Sequence, residues 1–124
     1  MSLKQIPMTP SITLKEVFSS APRPFSGEAI KFITEAYQFA ELAHRGQKRK
    51  SGEDYIIHSL FVAKNLAEIG MDEKTLAAGL LHDVPEDTEI TLAQVEEKFG
   101  SEVALLVDGI TKLGKIKLRG SKEE

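Results

Sequence analysis

The chain has 124 residues, 41% of them hydrophobic, and a formal net charge of −3 at pH 7. That length supports one domain with a modest core. The charge argues against direct nucleic-acid binding, which relies on clustered Lys and Arg meeting backbone phosphates. Cysteine is absent, which excludes disulfides and thiolate-bound zinc and is compatible with a reducing cytoplasm, the expected location. No apolar stretch reaches the roughly 18 residues that a membrane span needs, and no charged-then-apolar leader opens the chain.

Residues 1–26 hold Pro7, Pro10, Pro22 and Pro24, which interrupt any long helix, so an extended N-terminal arm with one turn around Leu14 to Phe18 is expected. Residues 27–124 then form the domain proper. Ser26 is a good N-cap, and Ile30, Ile33, Tyr37, Ala40 and His44 follow at steps of three and four, the mark of an amphipathic helix that stops at Gly46. A basic loop, Gly46 to Gly52, leads to Asp54, which can cap a second helix through Ile57, Phe61 and Leu66 to Gly70. Asp72 can cap a third, running from Glu73 to about Asp83. Its Ala77-Ala78-Gly79-Leu80-Leu81 segment is small and apolar enough for close helix packing.

Pro85 lacks an N–H and pushes Val84 away from helical angles, so the helix should kink or restart there. Thr91 and Gln94 form a capping-box pair for a short helix ending at Phe99-Gly100. Ser101 can cap the next, through Val103, Leu106, Val107 and Ile110, and Lys112 to Glu124 reads as a basic, mobile tail. No segment reads as a strand. The fold class expected is all-α.

The hexapeptide His82-Asp83-Val84-Pro85-Glu86-Asp87 follows the apolar run Leu76 to Leu81 and delivers four ionisable groups to one spot. Adjacent residues lie about 100° apart around a helix, so His82 and Asp83 can flank one divalent ion. His58 sits near the start of the preceding helix. Similar lengths of chain separate it and His82 from the turn at Gly70, so an antiparallel helix pair should bring the two imidazoles together. His44, alone on an apolar stripe, reads instead as a hydrogen-bonded core residue.

Glu86 and Asp87 fall about one turn beyond Asp83. Carboxylates this close repel unless a cation compensates them. A divalent ion would do so and would also lower the pKa of a water from 15.7 to roughly 7. A neighbouring carboxylate can position that nucleophile or pass a proton to the leaving oxygen. Arg45, Lys48, Arg49 and Lys50 supply clustered positive charge just before His58, as a polyanionic substrate would require.

Three segments carry a resemblance: Ala43-His44-Arg45-Gly46-Gln47-Lys48-Arg49-Lys50-Ser51-Gly52 through His58, then Ala77 to Thr88, then Phe99-Gly100 with Leu106-Val107-Asp108-Gly109-Ile110-Thr111-Lys112-Leu113. Together they resemble the hydrolase domain of the bifunctional RelA/SpoT alarmone enzymes, a branch of the HD-domain metal-dependent phosphohydrolases. The likeness spans about residues 28–117. It implies a helical bundle in which His58, His82 and Asp83 bind Mn²⁺. By the same likeness Glu86 and Asp87 act on the attacking water and the leaving group, and Arg49, Lys50 and Ser51 face the guanine nucleotide. The implied reaction removes pyrophosphate from the 3′ position of ppGpp or pppGpp.

Two departures stand out. Ser59 replaces the proline that usually follows the first ligand histidine. The downstream helix that supplies the family's fourth metal ligand, an aspartate, and the synthetase region beyond it have no counterpart here. The expectation is therefore a fragment of a longer enzyme, a bundle incomplete at its C-terminal end, which either self-associates through the apolar surface left on the helix from Ser101 or is only marginally stable. The competing readings are another HD-type nucleotide phosphohydrolase and a non-catalytic regulatory HD domain of a GTP pyrophosphokinase.

Overall fold

A computed structural model describes residues 12–123, with side chains to Lys112. Among the described residues lie seven helices: α1 (Leu14–Ser20), α2 (Gly27–Ala43), α3 (Tyr55–Glu68), α4 (Glu73–Leu81), α5 (Val84–Asp87), α6 (Leu92–Phe99) and α7 (Ser101–Glu123). Among the described residues strand-type pairing is limited to one isolated bridge between Lys48 and Asp54. The all-α expectation holds. What was expected of residues 1–11, Pro7 and Pro10 included, lies outside the described residues.

α4 is the hub, packed against α2, α3 and α7. Contact on three sides explains its composition: Leu76, Ala77, Ala78, Gly79, Leu80 and Leu81 are all buried, which a helix with one solvated face would not require. Asp72 Oδ1 accepts from the Thr75 amide at 3.0 Å and opens this helix as expected. Gly70, at φ +84°, makes the turn that returns the chain from α3 into α4. A Cβ at Gly79 would stand 2.7 Å from Leu66 Cδ1 and 3.3 Å from Val62 Cγ1, so α3 and α4 approach as closely as a missing side chain permits.

Small residues also shift the buried stripes from the positions the large apolar residues suggested. In α2 the buried face is Ala29, Ile33, Ala36 and Ala40, and Ile30 is exposed. In α3 it is Ser59, Leu60, Ala63 and Ala67, with Phe61 exposed. Alanine lets neighbouring axes come close, and larger side chains such as Tyr37, Ile57 and Leu66 pack at the flanks of the core.

The expected arm is more ordered than its prolines suggested. Thr13 and Glu16 close a capping box at the start of α1, and Val17 is fully buried, in one core cluster with Ile12. α1 lies against α3 and ends before Pro22 and Pro24. At the other end Thr91 and Gln94 cap α6 reciprocally as expected. Phe99 meets Phe32 and Phe39 edge-on, with centroids at 5.9 and 5.4 Å. Ser101 is the first residue of α7 rather than its cap: the Gly100 carbonyl accepts from the Ala104 amide at 3.2 Å, and Gly100 itself adopts φ +102°. α7 remains helical to Glu123, taking in the stretch read as a basic, mobile tail. On it Val103 and Val107 are buried and Leu105 is 72% exposed. No helix among the described residues is long and apolar enough to cross a membrane.

Gly79→Val tests the close approach. Its branched side chain must displace Leu66 and Val62, and a loss of about 1–3 kcal/mol is expected, read as a lower denaturant midpoint at unchanged slope.

Candidate metal centre

α4 ends at Leu81, and Pro85, at the first turn of α5, cannot continue its hydrogen-bond ladder. His82 and Asp83 therefore occupy the step between two helices, with right-handed angles of φ −62°, ψ −31° and φ −88°, ψ −7°. The break occurs where the hexapeptide predicted it. His82 Nδ1 lies 2.7 Å from the Gly79 carbonyl. A carbonyl only accepts, so Nδ1 carries the proton and the Nε2 lone pair is free to bind an ion. Nε2 lies 3.3 Å from Asp83 Oδ2. Thr111 of α7 adds a hydroxyl 3.3 Å from the His82 carbonyl, tying this step to the last helix.

His58, on the first turns of α3, meets this pair as the antiparallel arrangement predicted. Its ring centroid is 5.5 Å from that of His82, and its Nε2 is 3.8 Å from the same Asp83 oxygen. Ligand atoms of His58, His82 and Asp83 all lie within 4.8 Å of one another. That spacing suits one ion with bonds of about 2.0–2.2 Å, and a mixed nitrogen and oxygen set suits a divalent metal. The three residues could hold such an ion.

Arg49 competes for one of these residues. Arg49 Nη1 lies 3.2 Å from His58 Nδ1. Guanidinium only donates, so Nδ1 accepts, and a neutral His58 carries its proton on Nε2, facing Asp83. For Nε2 to become a ligand, Arg49 must withdraw and the proton must move to Nδ1. Burial lowers the His58 pKa first, the Arg49 charge lowers it further, and Asp83 partly offsets both. The net effect favours the neutral ring, the form that can bind a metal.

The basic loop is a hairpin. The Arg49 amide donates to the Glu53 carbonyl and the Gly52 amide to the Arg49 carbonyl, both at 2.8 Å, with Gly52 at φ +93°. This is a turn closed by a glycine bulge. Lys48 Nζ reaches Asp54 Oδ1 at 2.7 Å, which engages the carboxylate that was expected to cap α3; that cap bond is not made. Arg49 is half-buried beside His58, and Lys50 and Ser51 occupy the exposed tip. Ser59, the fifth residue of α3, is fully buried, and its Oγ has no hydrogen-bond partner.

Glu86 and Asp87 lie on α5, whose single turn is closed by the Asp87 amide donating to the Asp83 carbonyl at 2.9 Å. Partial desolvation raises the Asp87 pKa, and repulsion from Asp83 and then Glu86 adds to it. His44 is buried as the sequence suggested, 3% exposed and stacked on Tyr55 at 4.8 Å and 8°. Gln47, Tyr55 and Thr111 were not among the sequence candidates. The bonds of Gln47 to Asp87 and of Thr111 to His82 span 40 and 29 residues, too far for spacing to reveal them.

Two outcomes follow from this geometry. Arg49→Ala removes the competitor for His58. A hydrogen bond to a charged group is worth about 1.5 kcal/mol at the low end, so divalent-metal affinity should rise about tenfold by calorimetry. Asp87→Asn removes a carboxylate whose folded pKa is raised, which means that ionisation destabilises the fold as pH rises through the folded value. The metal-free variant should melt a few degrees higher at pH 7, a small effect because solvent screens the site, and the difference should vanish below the ordinary carboxylate range.

A family model for the HD domain matches residues 36–124. The chain is 54% identical over 92 residues to a guanosine-3′,5′-bis(diphosphate) 3′-pyrophosphohydrolase of Aquifex aeolicus, covering 74% of this chain and 13% of the relative. It is 59% identical over 88 residues to a GTP pyrophosphokinase of Streptomyces coelicolor, covering 71% of this chain and 10% of that one. It is also 51% identical over 96 residues to the bifunctional (p)ppGpp synthase/hydrolase SpoT of Escherichia coli, covering 77% and 14% respectively. The chain thus spans roughly a tenth to a seventh of the length of these relatives. With the family model matching most of its residues, the chain belongs to the HD-domain family.

Proposed function

We propose that this chain is the metal-binding part of a (p)ppGpp 3′-pyrophosphohydrolase, with His58, His82 and Asp83 as the protein ligands of one Mn²⁺ ion. The observation that carries the reading is the convergence of these three side chains within 4.8 Å, beside the acidic helix that holds Glu86 and Asp87. Relatives named for that hydrolysis, at 51–54% identity, support the substrate class.

The bound ion would supply Lewis acidity at the scissile phosphorus and lower the pKa of a nearby water. The chain's own groups do the rest. His82, oriented by Gly79, and His58, released from Arg49, would present their ring nitrogens to the ion. Water oxygen forms a bond to the phosphorus attached to the 3′ oxygen, and the bond from that phosphorus to the 3′ oxygen breaks. Pyrophosphate leaves, and the 3′ oxygen gains a proton. Glu86 and Asp87 divide the proton work, one taking a proton from water and the other giving one to the sugar oxygen. Arg49, freed from His58, and Lys50 and Ser51 at the hairpin tip face the guanine nucleotide. Their charge and hydrogen bonds offset that of its phosphates.

The test is pyrophosphate release from ppGpp by the manganese-reconstituted protein, with metal content measured on the same samples. Wild type is expected to bind about one ion and turn over ppGpp in preference to deoxynucleoside triphosphates, and His82→Ala to lose both metal and turnover. Equal, negligible manganese in wild type and His82→Ala would sink the ligand assignment. Faster turnover of the deoxynucleotides would point to a different nucleotide phosphohydrolase.

A further inference from the structure

Between the basic hairpin and α5 runs a hydrogen-bonded connection that the proposed chemistry does not use directly. Gln47 Nε2 donates to the backbone carbonyl of Asp87 at 2.7 Å, across 40 residues of sequence. Its Oε1 lies 3.1 Å from His44 Nδ1. The Asp87 carbonyl can only accept, so the amide orientation is fixed: Nε2 faces Asp87 and Oε1 faces His44, which must then donate from Nδ1. His44 cannot easily rotate away, because it is 3% exposed and its ring lies flat on Tyr55. Its Nε2 is buried with no hydrogen-bond partner, which again leaves the proton on Nδ1.

The bond falls at an informative place. Asp87 is the last residue of the four-residue α5, where terminal carbonyls lack intrahelical partners. One turn of helix is too short to hold its own position. Gln47 lines both a depression of about 190 Å³, walled by His44 and Tyr55, and one of about 440 Å³, walled by Asp87 and Thr88. Its amide therefore bridges space that apolar packing does not fill.

We propose that Gln47 is a positioning residue for the hydrolysis, a latch that sets the distance between the substrate-facing hairpin and the Glu86–Asp87 pair. The inference rests on the proposed function for its catalytic consequence. It rests on geometry alone for the latch. His44 and Tyr55 form its anchor, and Asp87 is what it holds. His58, His82 and Asp83 take no part in it, so metal affinity and nucleotide positioning should separate.

Gln47→Leu keeps bulk and removes both hydrogen bonds. Gln47→Glu keeps an acceptor for His44 but sets a carboxylate against the Asp87 carbonyl. In the metal-free full chain, amide exchange at Asp87 and Thr88 should quicken about tenfold in both variants, with α4 amides unchanged. In the manganese-loaded chain kcat for ppGpp should fall about 10- to 100-fold, as misplacement of catalytic groups by about 1 Å produces. Manganese affinity should hold within about twofold and KM should change far less than kcat. Unchanged exchange at Asp87 and Thr88 would overturn the latch, as would a fall in kcat that tracks lost metal. Absence of turnover in the wild-type chain overturns the proposed function and, with it, Gln47's catalytic role. The latch itself is then decided by the exchange measurement, which needs neither metal nor nucleotide.

Discussion

Gly79 sets how near α4 can come to α3, and nearly everything of chemical interest depends on that distance. His58 stands at the start of one helix and His82 just past the end of the other. A wider separation of the axes would carry their rings apart along with the backbones. The same residue also offers the carbonyl that fixes the His82 proton on Nδ1. Spacing and ring orientation thus share one origin: a position without a side chain, pressed against Leu66 and Val62.

Groups of the chain itself balance the charges of this centre. Asp83 lies between two imidazoles, and Arg49 stands on the far face of His58. Asp87 has its pKa raised first by desolvation and then by repulsion from Asp83 and Glu86. Such local conflict is common where a site is built for a ligand rather than for stability alone. In the proposed reaction it gives Arg49 two positions, one on the ligand histidine and one toward the nucleotide, so that it bears on both metal and substrate.

Much of this was legible in the sequence wherever the signal is local. The capping pair Thr91 and Gln94, the break at Pro85 and the cap at Asp72 each depend on residues within one turn. The meeting of His58 and His82 needed only element lengths and one glycine turn. Reading failed where tertiary contact decides among equivalent local choices. Large apolar residues pointed to Ile30 and Phe61 as buried, yet the alanine faces won because they let α4 pack from several sides. Asp54 had the chemistry of a cap, but Lys48 held its carboxylate. The Gln47–Asp87 bond joins residues 40 positions apart and left no pattern to find.

The hairpin at 48–54 has an evolutionary consequence. It is closed by backbone bonds, a glycine bulge and the Lys48–Asp54 pair, all below its tip. Lys50 projects beyond those closures, whereas the Ser51 hydroxyl accepts from the Glu53 amide at 3.4 Å inside the loop. On the proposed function, a replacement at Lys50 would alter what the molecule recognises without disturbing how the loop is closed, so relatives could diverge in ligand choice while keeping one inherited scaffold.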